Sequence, residues 1–395
     1  MRRVVVTGLG IVSCLGNDIP SFWADLLAGK SGMRQMSRWD PTGLRNTKMG
    51  EVVDFPWTDD HDEASQFALY AAASAIKDSG IVDTSHLGLV SSTNFGGAAF
   101  WDQYLACLTD GAIDAETAEL FTEFIFSRTA DLIKEKYGFN GPTRVMTLSC
   151  SSGTAAIGQG MDLIRTGKSS AVLCEGHDSL AYSSMAGLSI LRTITADELR
   201  PFDIRRSGTI FGEGSGALIL EDSDSAVKRG AKIYGEVAGY AVNNNAHHLT
   251  APDKEGDGIV AMLKEALRDA AALPIDVDYI NAHGTGTAYF DVTETKAVKT
   301  VLGDKAFKIP ISSIKPAVGH MMAAAGSVEA IVTLLALRDG IVPPTLNHEQ
   351  PDPECDLDYV STGARKVDIK NAISISSGIG GNNSAVVLKK WQGGN

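Results

Sequence analysis

The sequence predicts an α/β fold made of two pseudo-symmetric halves, each a sheet layered with helices. Three observations lead to it. Strand-length apolar runs alternate with segments of helical period along the whole chain. The order strand, helix, strand, insertion, strand–turn–helix, strand occurs twice. The 395 residues include 41 glycines, enough for many tight strand-to-helix turns.

Composition bounds the rest. At 44% hydrophobic and 21% charged residues, the chain is an ordinary globular sequence. No apolar run reaches the roughly 18 residues of a membrane span. Met1-Arg2-Arg3 leads directly into V-V-V-T-G-L-G, which reads as a first strand and not as a signal peptide. A net charge of −13 argues against nucleic acid as a partner, and requires that an acidic partner dock on a local basic patch. Cys14, Cys107, Cys150, Cys174 and Cys355 form no CxxC pair and no metal-ligand spacing. Scattered thiols of this kind fit a reducing, cytoplasmic setting.

Taken in order, Arg3 to Gly10 is a strand, and its G-L-G-I-V-S turn lacks the third glycine of a dinucleotide site. Ser21 to Gly29 is a short amphipathic helix with Ser21 as its cap. Residues 39–62 are irregular, Glu63 to Gly80 is a helix, and Leu87 to Ser92 is a strand. Residues 98–137 are a helical insertion with Phe100, Trp101, Tyr104, Phe121 and Phe124 on several faces. Such a segment is expected to bury itself against a second subunit, the wall of an apolar tunnel or the core. A strand from Val145 then enters the turn Cys150-Ser151-Ser152-Gly153, and a helix runs on to Gly167, its stop. Strands follow at Ala171 to Cys174 and in G-S-G-A-L-I-L-E.

The second pass has strands at Ile233 to Gly239, Asp278 to Ala282 and Ile309 to Ser313. Its helices are Gly258 to Ala271 and about Met321 to Arg338, and a glycine-broken strand pair spans Ile373 to Leu388. Each half is expected to carry a largely parallel sheet. Residues 1–230 form the half with Cys150, and 231–395 the half with His283 and His320. No Pro/Ser-rich linker separates them, so one fused unit is expected.

Four stretches bear chemistry. Cys150 precedes a helix N-terminus, where a thiolate is stabilised and a thiol pKa near ~8.5 can fall to about 3.5–7.5. The alternative is a small buried cysteine filling a turn. Y-I-N-A-H-G-T-G-T sets His283 at a strand end, ahead of Thr285 and Thr287. I-S-S-I-K-P-A-V-G-H sets Lys315 and His320 around a Pro–Gly turn. A histidine at a helix start is biased to the neutral form and can donate to an oxyanion. Singly, each histidine reads more readily as structural, as do His61, His86, His177, His247, His248 and His348, and no metal-ligand partner is placed with either. In I-S-I-S-S-G-I-G-G-N-N, Gly378, Gly380 and Gly381 allow a backbone to approach a ligand, or merely turn a hairpin.

Together, in this order, these stretches resemble the elongating β-ketoacyl-(acyl-carrier-protein) synthases, condensing enzymes of the thiolase-like fold. The likeness runs over nearly the whole chain. It implies a duplicated αβαβα architecture and an acyltransferase without metal or redox cofactor. The implied reaction is decarboxylative condensation of a Cys-bound acyl group with malonyl-acyl-carrier-protein, in fatty-acid or specialised lipid or polyketide synthesis. By the resemblance, Cys150 is the nucleophile, and His283 and His320 hold the malonyl thioester carbonyl. Lys315 supports them electrostatically, Glu329 is its acid partner, and Asp291 and Glu294 match the acidic positions after the first histidine motif. The N–H groups of Cys150 and Ile379 form the oxyanion hole. Thr285, Thr287, Gly378, Ile379 and Gly380 line the acyl and malonyl pocket, and Arg200, Arg205 and Arg206 are candidates to meet the carrier protein.

The final loop departs from the usual N-S-F-G-F-G-G-T-N, with Ser377 and Ile379 at the aromatic positions. The second is the usual gate to the acyl pocket, so Ile379 predicts a looser gate or an unusual acyl chain. A homodimer is implied, through the 98–137 insertion and the strand before Cys150. Two rival readings remain. A non-catalytic chain-length partner of a heterodimer would lack the nucleophile. A thiolase would carry a second cysteine in the last glycine-rich loop, and none follows Cys355.

Overall fold

The computed structural model describes residues 2–58, 60–111 and 114–393. Its main strands are β1 Val4–Val12, β2 Gly88–Ser92, β3 Thr143–Met146, β4 Ala171–Asp178, β5 Gly214–Asp222, β6 Gly235–Asn244, β7 Tyr279–Asn281, β8 Ile311–Ser312, β9 Asn371–Gly378 and β10 Asn382–Lys389. They form one ten-stranded sheet in the order β8-β7-β9-β10-β6-β1-β5-β4-β2-β3. From the centre outward, one half reads β1, β5, β4, β2, β3 and the other β6, β10, β9, β7, β8. Each strand of the first half therefore has its counterpart five strands later.

Pairing senses repeat as well. β1–β5 and β5–β4 are antiparallel, as are β6–β10 and β10–β9. β4–β2 and β2–β3 are parallel, as are β9–β7 and β7–β8. The expectation of largely parallel sheets is thus corrected: each half is mixed, because β5 and β10 return against their neighbours. An antiparallel contact of β1 with β6, at Val4 to Val6, joins the halves.

The helices that cover this sheet are α1 Ile19–Leu27, α2 Glu63–Ser79, α3 Ala98–Thr109, α4 Ala115–Phe124, α5 Arg128–Tyr137, α6 Ser152–Arg165, α7 Asp257–Asp269, α8 Phe290–Leu302 and α9 Ala323–Asp339. Three cores define five layers. Phe67, Ala71 and Ile133 of α2 and α5 pack on Leu173 and Ile219, outside the first half. Ile259, Leu263 and Val298 of α7 and α8 pack on Ile373 and Val387, outside the second. Between them lie α6 and α9, whose Ile157, Met161, Ile331 and Leu335 meet Leu218, Leu220, Val386 and Leu388. Strand alternation produces this split, since neighbours such as Ile219 and Leu220 face opposite layers. α9 is buried from Ala323 to Leu337, which is why its sequence is apolar on all sides.

Two further expectations are corrected. α1 is capped by Asp18, whose carboxylate accepts from Ser21 N at 2.9 Å, so Ser21 lies inside the helix. A carboxylate at this position also complements the helix dipole. Within the insertion α5 enters the first-half core and Tyr137 packs against it, whereas the aromatic residues of α3 and α4 do not. Trp101, Tyr104, Phe121 and Phe124 stack on one another between α3 and α4, with Phe121, Leu108 and Ile125 exposed. Residues 112 and 113 of that insertion lie outside the described residues.

The crossing of α6 and α9 brings Cys150 and His320 together. A Cβ on Gly326 would lie 2.4 Å from Thr154 N, and one on Gly153 would lie 2.5 Å from Ala323 O. No side chain fits, so the first turns of the two helices touch backbone to backbone. Cys150 ends the turn into α6 and His320 precedes α9, so this contact makes them neighbours. Gly326→Ala is expected to cost about 1–3 kcal/mol of stability by overpacking. Thermal unfolding measures it, and an unchanged midpoint would show that the crossing has slack.

Candidate active site

Cys150 sits in a turn held in an unfavourable conformation. Ser149 has φ +55°, a left-handed value uncommon for a residue with a side chain. Local hydroxyls maintain it: Ser151 Oγ donates to Leu148 O at 2.7 Å, and Ser152 Oγ donates to Ser149 O at 2.6 Å. The β9–β10 hairpin rests directly on this turn. A Cβ on Gly378 would lie 2.9 Å from Cys150 N, so only glycine allows the approach. It leaves the N–H of Ile379 facing the Cys150 sulfur.

The histidines come from the other half. His283 follows β7, and its turn is held by two buried carboxylates. Glu294 accepts from His283 N at 2.7 Å and Gly284 N at 2.9 Å. Asp291 accepts from Gly286 N at 3.2 Å and Phe202 N at 2.7 Å. His320 is pinned through its backbone to Ile210 O at 2.8 Å and Gly212 N at 3.1 Å, and its ring stacks on Phe211. The imidazole centroids of His283 and His320 are 5.4 Å apart.

Their protonation follows from their surroundings. Burial first, then the Lys315 ammonium, holds His320 well below the usual histidine range. The same causes, with His320 added, do so for His283. Both rings are therefore neutral. Met322 N donates to His320 Nδ1 at 3.2 Å, so the ring proton is on Nε2. His283 Nδ1 is buried without a hydrogen-bond partner among the described residues. Lys315 itself is buried, donating to Glu329 Oε1 and to His283 O, each at 2.5 Å.

Cys150, His283 and His320 line one cavity of about 760 Å³, with Thr285, Thr287, Gly378 and Ile379 on its walls. Other residues singled out from the sequence are placed as follows. The lining takes in Gly381 instead of Gly380, whose N–H is bound to Leu249 O at 2.7 Å. The three arginines are occupied: Arg206 pairs with Asp352 at 2.5 Å and is 6% exposed, Arg200 pairs with Asp197, and Arg205 pairs with Asp203 and Glu349. Only Arg205 has much exposed surface, because the loop folds its cations onto neighbouring acids. At the Cys150 thiol, burial works against the stabilisation that a helix start gives a thiolate. Burial pushes the thiol up to about 11, against the opposing pull of Ser149, Lys315 and the Ile379 N–H.

The sequence reading missed Asn94 and Phe95, which wall the cavity beside Cys150, and the strained Met322 at φ +54°. Nothing in their residue types marks them. Phe211 had a signal in the glycine-rich approach to β5, but no reason to be placed on His320.

Comparison with known proteins fits this geometry. The beta-ketoacyl synthase N-terminal domain family matches residues 1–226 and the C-terminal domain family residues 234–349. The chain is 38% identical over 410 residues to 3-oxoacyl-(acyl-carrier-protein) synthase 2 of Synechocystis sp., covering 99% of both chains. The solved ishigamide ketosynthase/chain length factor superposes with a TM-score of 0.93 at 34% identity, over 99% of this chain and 100% of that one. A type II polyketide ketosynthase, solved in complex with its acyl-carrier protein and bound to the hexaketide, gives 0.92 at 34%, over 99% and 100%. The fold is that of a thiolase-like condensing enzyme. The chain belongs to the beta-ketoacyl synthase family; it is an acyltransferase of fatty-acid or type II polyketide synthesis.

The raised thiol has a direct consequence. Alkylation of Cys150 by iodoacetamide in the free enzyme is expected to rise about tenfold per pH unit from 7 to 10. A rate already flat by pH 8 would show a thiolate in the resting site.

Proposed function

We propose that this chain joins a Cys150-bound acyl group to malonyl-acyl-carrier-protein with loss of CO2. The observation that carries this is one sulfur and two neutral imidazoles on a single cavity supplied by both halves. Cys150 attacks the incoming acyl thioester, and its proton leaves with the departing carrier thiol. The N–H groups of Cys150 and Ile379 donate to the tetrahedral oxyanion. The malonyl thioester carbonyl then accepts from His320 Nε2–H and from His283. Decarboxylation places negative charge on that oxygen, where two neutral donors stabilise an enolate without handing it a proton. The enolate carbon attacks the acyl-Cys carbonyl, the C–S bond breaks, and the released thiolate takes up a proton. Residues 1–230 act as the nucleophile half and 231–395 as the histidine half.

The presence of Cys150 favours this over a non-catalytic chain-length subunit. The substrate reaches the cavity on a carrier protein, as the relatives' names suggest. With Arg200, Arg205 and Arg206 engaged in ion pairs, of the three only Arg205 keeps surface for docking. The exposed aromatic face of α3 and α4 supports pairing with a second condensing-type subunit, in the first place another copy. No described helix is long and apolar enough to cross a membrane, and five unpaired cysteines fit a cytoplasmic location.

Cys150→Ala is expected to abolish both acylation and condensation. His283→Ala and His320→Ala should each still become acylated yet lose about 10²–10³ in CO2 release from malonyl carrier. Intact-mass analysis and labelled CO2 separate the two steps. A histidine variant that releases CO2 at the wild-type rate would overturn its assigned role.

A further inference from the structure

We propose that Asp178 is a positioning residue of the condensation, tying the wall of the acyl cavity to the turn that presents His320. Asp178 ends β4 and is fully buried. Its Oδ1 accepts from Thr93 Oγ1 at 2.8 Å, Asn94 N at 3.0 Å and Phe95 N at 3.1 Å. Its Oδ2 accepts from Ala323 N at 2.8 Å. Asn94 and Phe95 wall the cavity beside Cys150. Ala323 is the first residue of α9 and follows Met322, whose N–H fixes the His320 tautomer. One carboxylate thus bonds the backbone on both sides of the site. All its partners are donors, and one is the N-terminal N–H of a helix, so the ionised form suits it.

An imidazole lies among the neighbouring acids. His177 Nδ1 lies 2.9 Å from Glu175 Oε2, and Glu175 Oε1 accepts from Ser91. His177 Nε2 is buried without a hydrogen-bond partner among the described residues. Asp62 also faces this ring, its own carboxylate held by Ala64, Ala99 and Phe100 N–H groups. Burial works against a charged His177, but Glu175, Asp178 and Asp62 together raise it above the usual histidine value. Burial pushes Asp178 up to about 6, with Ala323 N–H, His177, Thr93 and Asn94 pulling it back. The Asp178 charge also bears on Cys150, raising its thiol.

That last link makes the inference testable, because removing the charge moves two observables in opposite directions. It rests on the proposed role of His320. Wild type, Asp178→Asn and His177→Gln are compared for CO2 release from malonyl carrier, for the pH profile of Cys150 alkylation, and for thermal unfolding. Asp178→Asn is expected to lower kcat for CO2 release about 10–100-fold, with KM little changed. Its alkylation profile should move to lower pH. His177→Gln keeps a donor for Glu175 but removes the cation, so the acid limb of CO2 release should move to higher pH. Asp178→Asn with wild-type kcat, or with alkylation slowed in step with CO2 release, would overturn the inference. Should that variant fail to fold, an unshifted acid limb in His177→Gln overturns it instead. A wild-type protein inactive toward malonyl carrier, with the alkylation shift still present, would remove the proposed function alone.

Discussion

The contact on which the site depends is made without side chains. α6 and α9 meet at Gly153 and Gly326, and each helix follows a parallel strand of its own half. That contact converts a duplicated fold into an active site. The same strand–turn–helix unit is used twice, and the pseudo-symmetry places the two turns face to face. One turn carries a sulfur and the other an imidazole. The duplication alone gives two equivalent turns; the different residues placed in them give the chemistry.

Around this contact the site is organised by burial and a single ammonium group. Lys315 lies under the histidines, paired with Glu329 and bonded to the His283 carbonyl. Removing one partner of a buried pair typically costs about 3–5 kcal/mol, because the other charge is left uncompensated. Here the cation also biases both imidazoles toward neutrality, and opposes the burial that raises the Cys150 thiol. One charge therefore tilts three titrations toward forms useful at the same cavity. Glu294 and Asp291 spend their acceptors on backbone N–H groups of the His283 turn, so they shape that turn and keep clear of the rings.

Much of this was legible in the sequence because it is local. Gly167, Gly80 and the apolar periods of α2, α6 and α7 mark helices by short-range rules. The repeat of strand–turn–helix was visible as a repeat, and Cys150, His283 and His320 stand at positions that such turns expose. What the sequence hid is non-local. The antiparallel return of β5 and β10 depends on strand order, which no local period encodes. The engagement of Arg205 and Arg206 by acids draws on partners as far away as Glu349 and Asp352. Asp178 looks like any acid after a strand until the N–H groups of the Thr93–Phe95 loop and of α9 are folded onto it. The thiol is opaque for a related reason: helix position can be read from sequence, but depth of burial cannot.

In the proposed reaction, that depth shapes the order of the chemistry. A buried sulfur is a poor place for a free thiolate, and a good place for a thioester, which has no charge to desolvate. Burial that opposes the resting anion thus favours the acylated enzyme once the carrier thiol has taken the proton away. The next charge to appear is an enolate on the malonyl carbonyl oxygen. It forms beside two neutral rings, one with its proton fixed on Nε2 by Met322, and within reach of the Lys315 field. An imidazolium in either place would hold the anion more tightly but could quench it by proton transfer. Neutral donors over a remote cation stabilise the charge while leaving the carbon nucleophilic. The cavity is thereby suited to an uncharged acyl-sulfur first and a transient carbanion equivalent second.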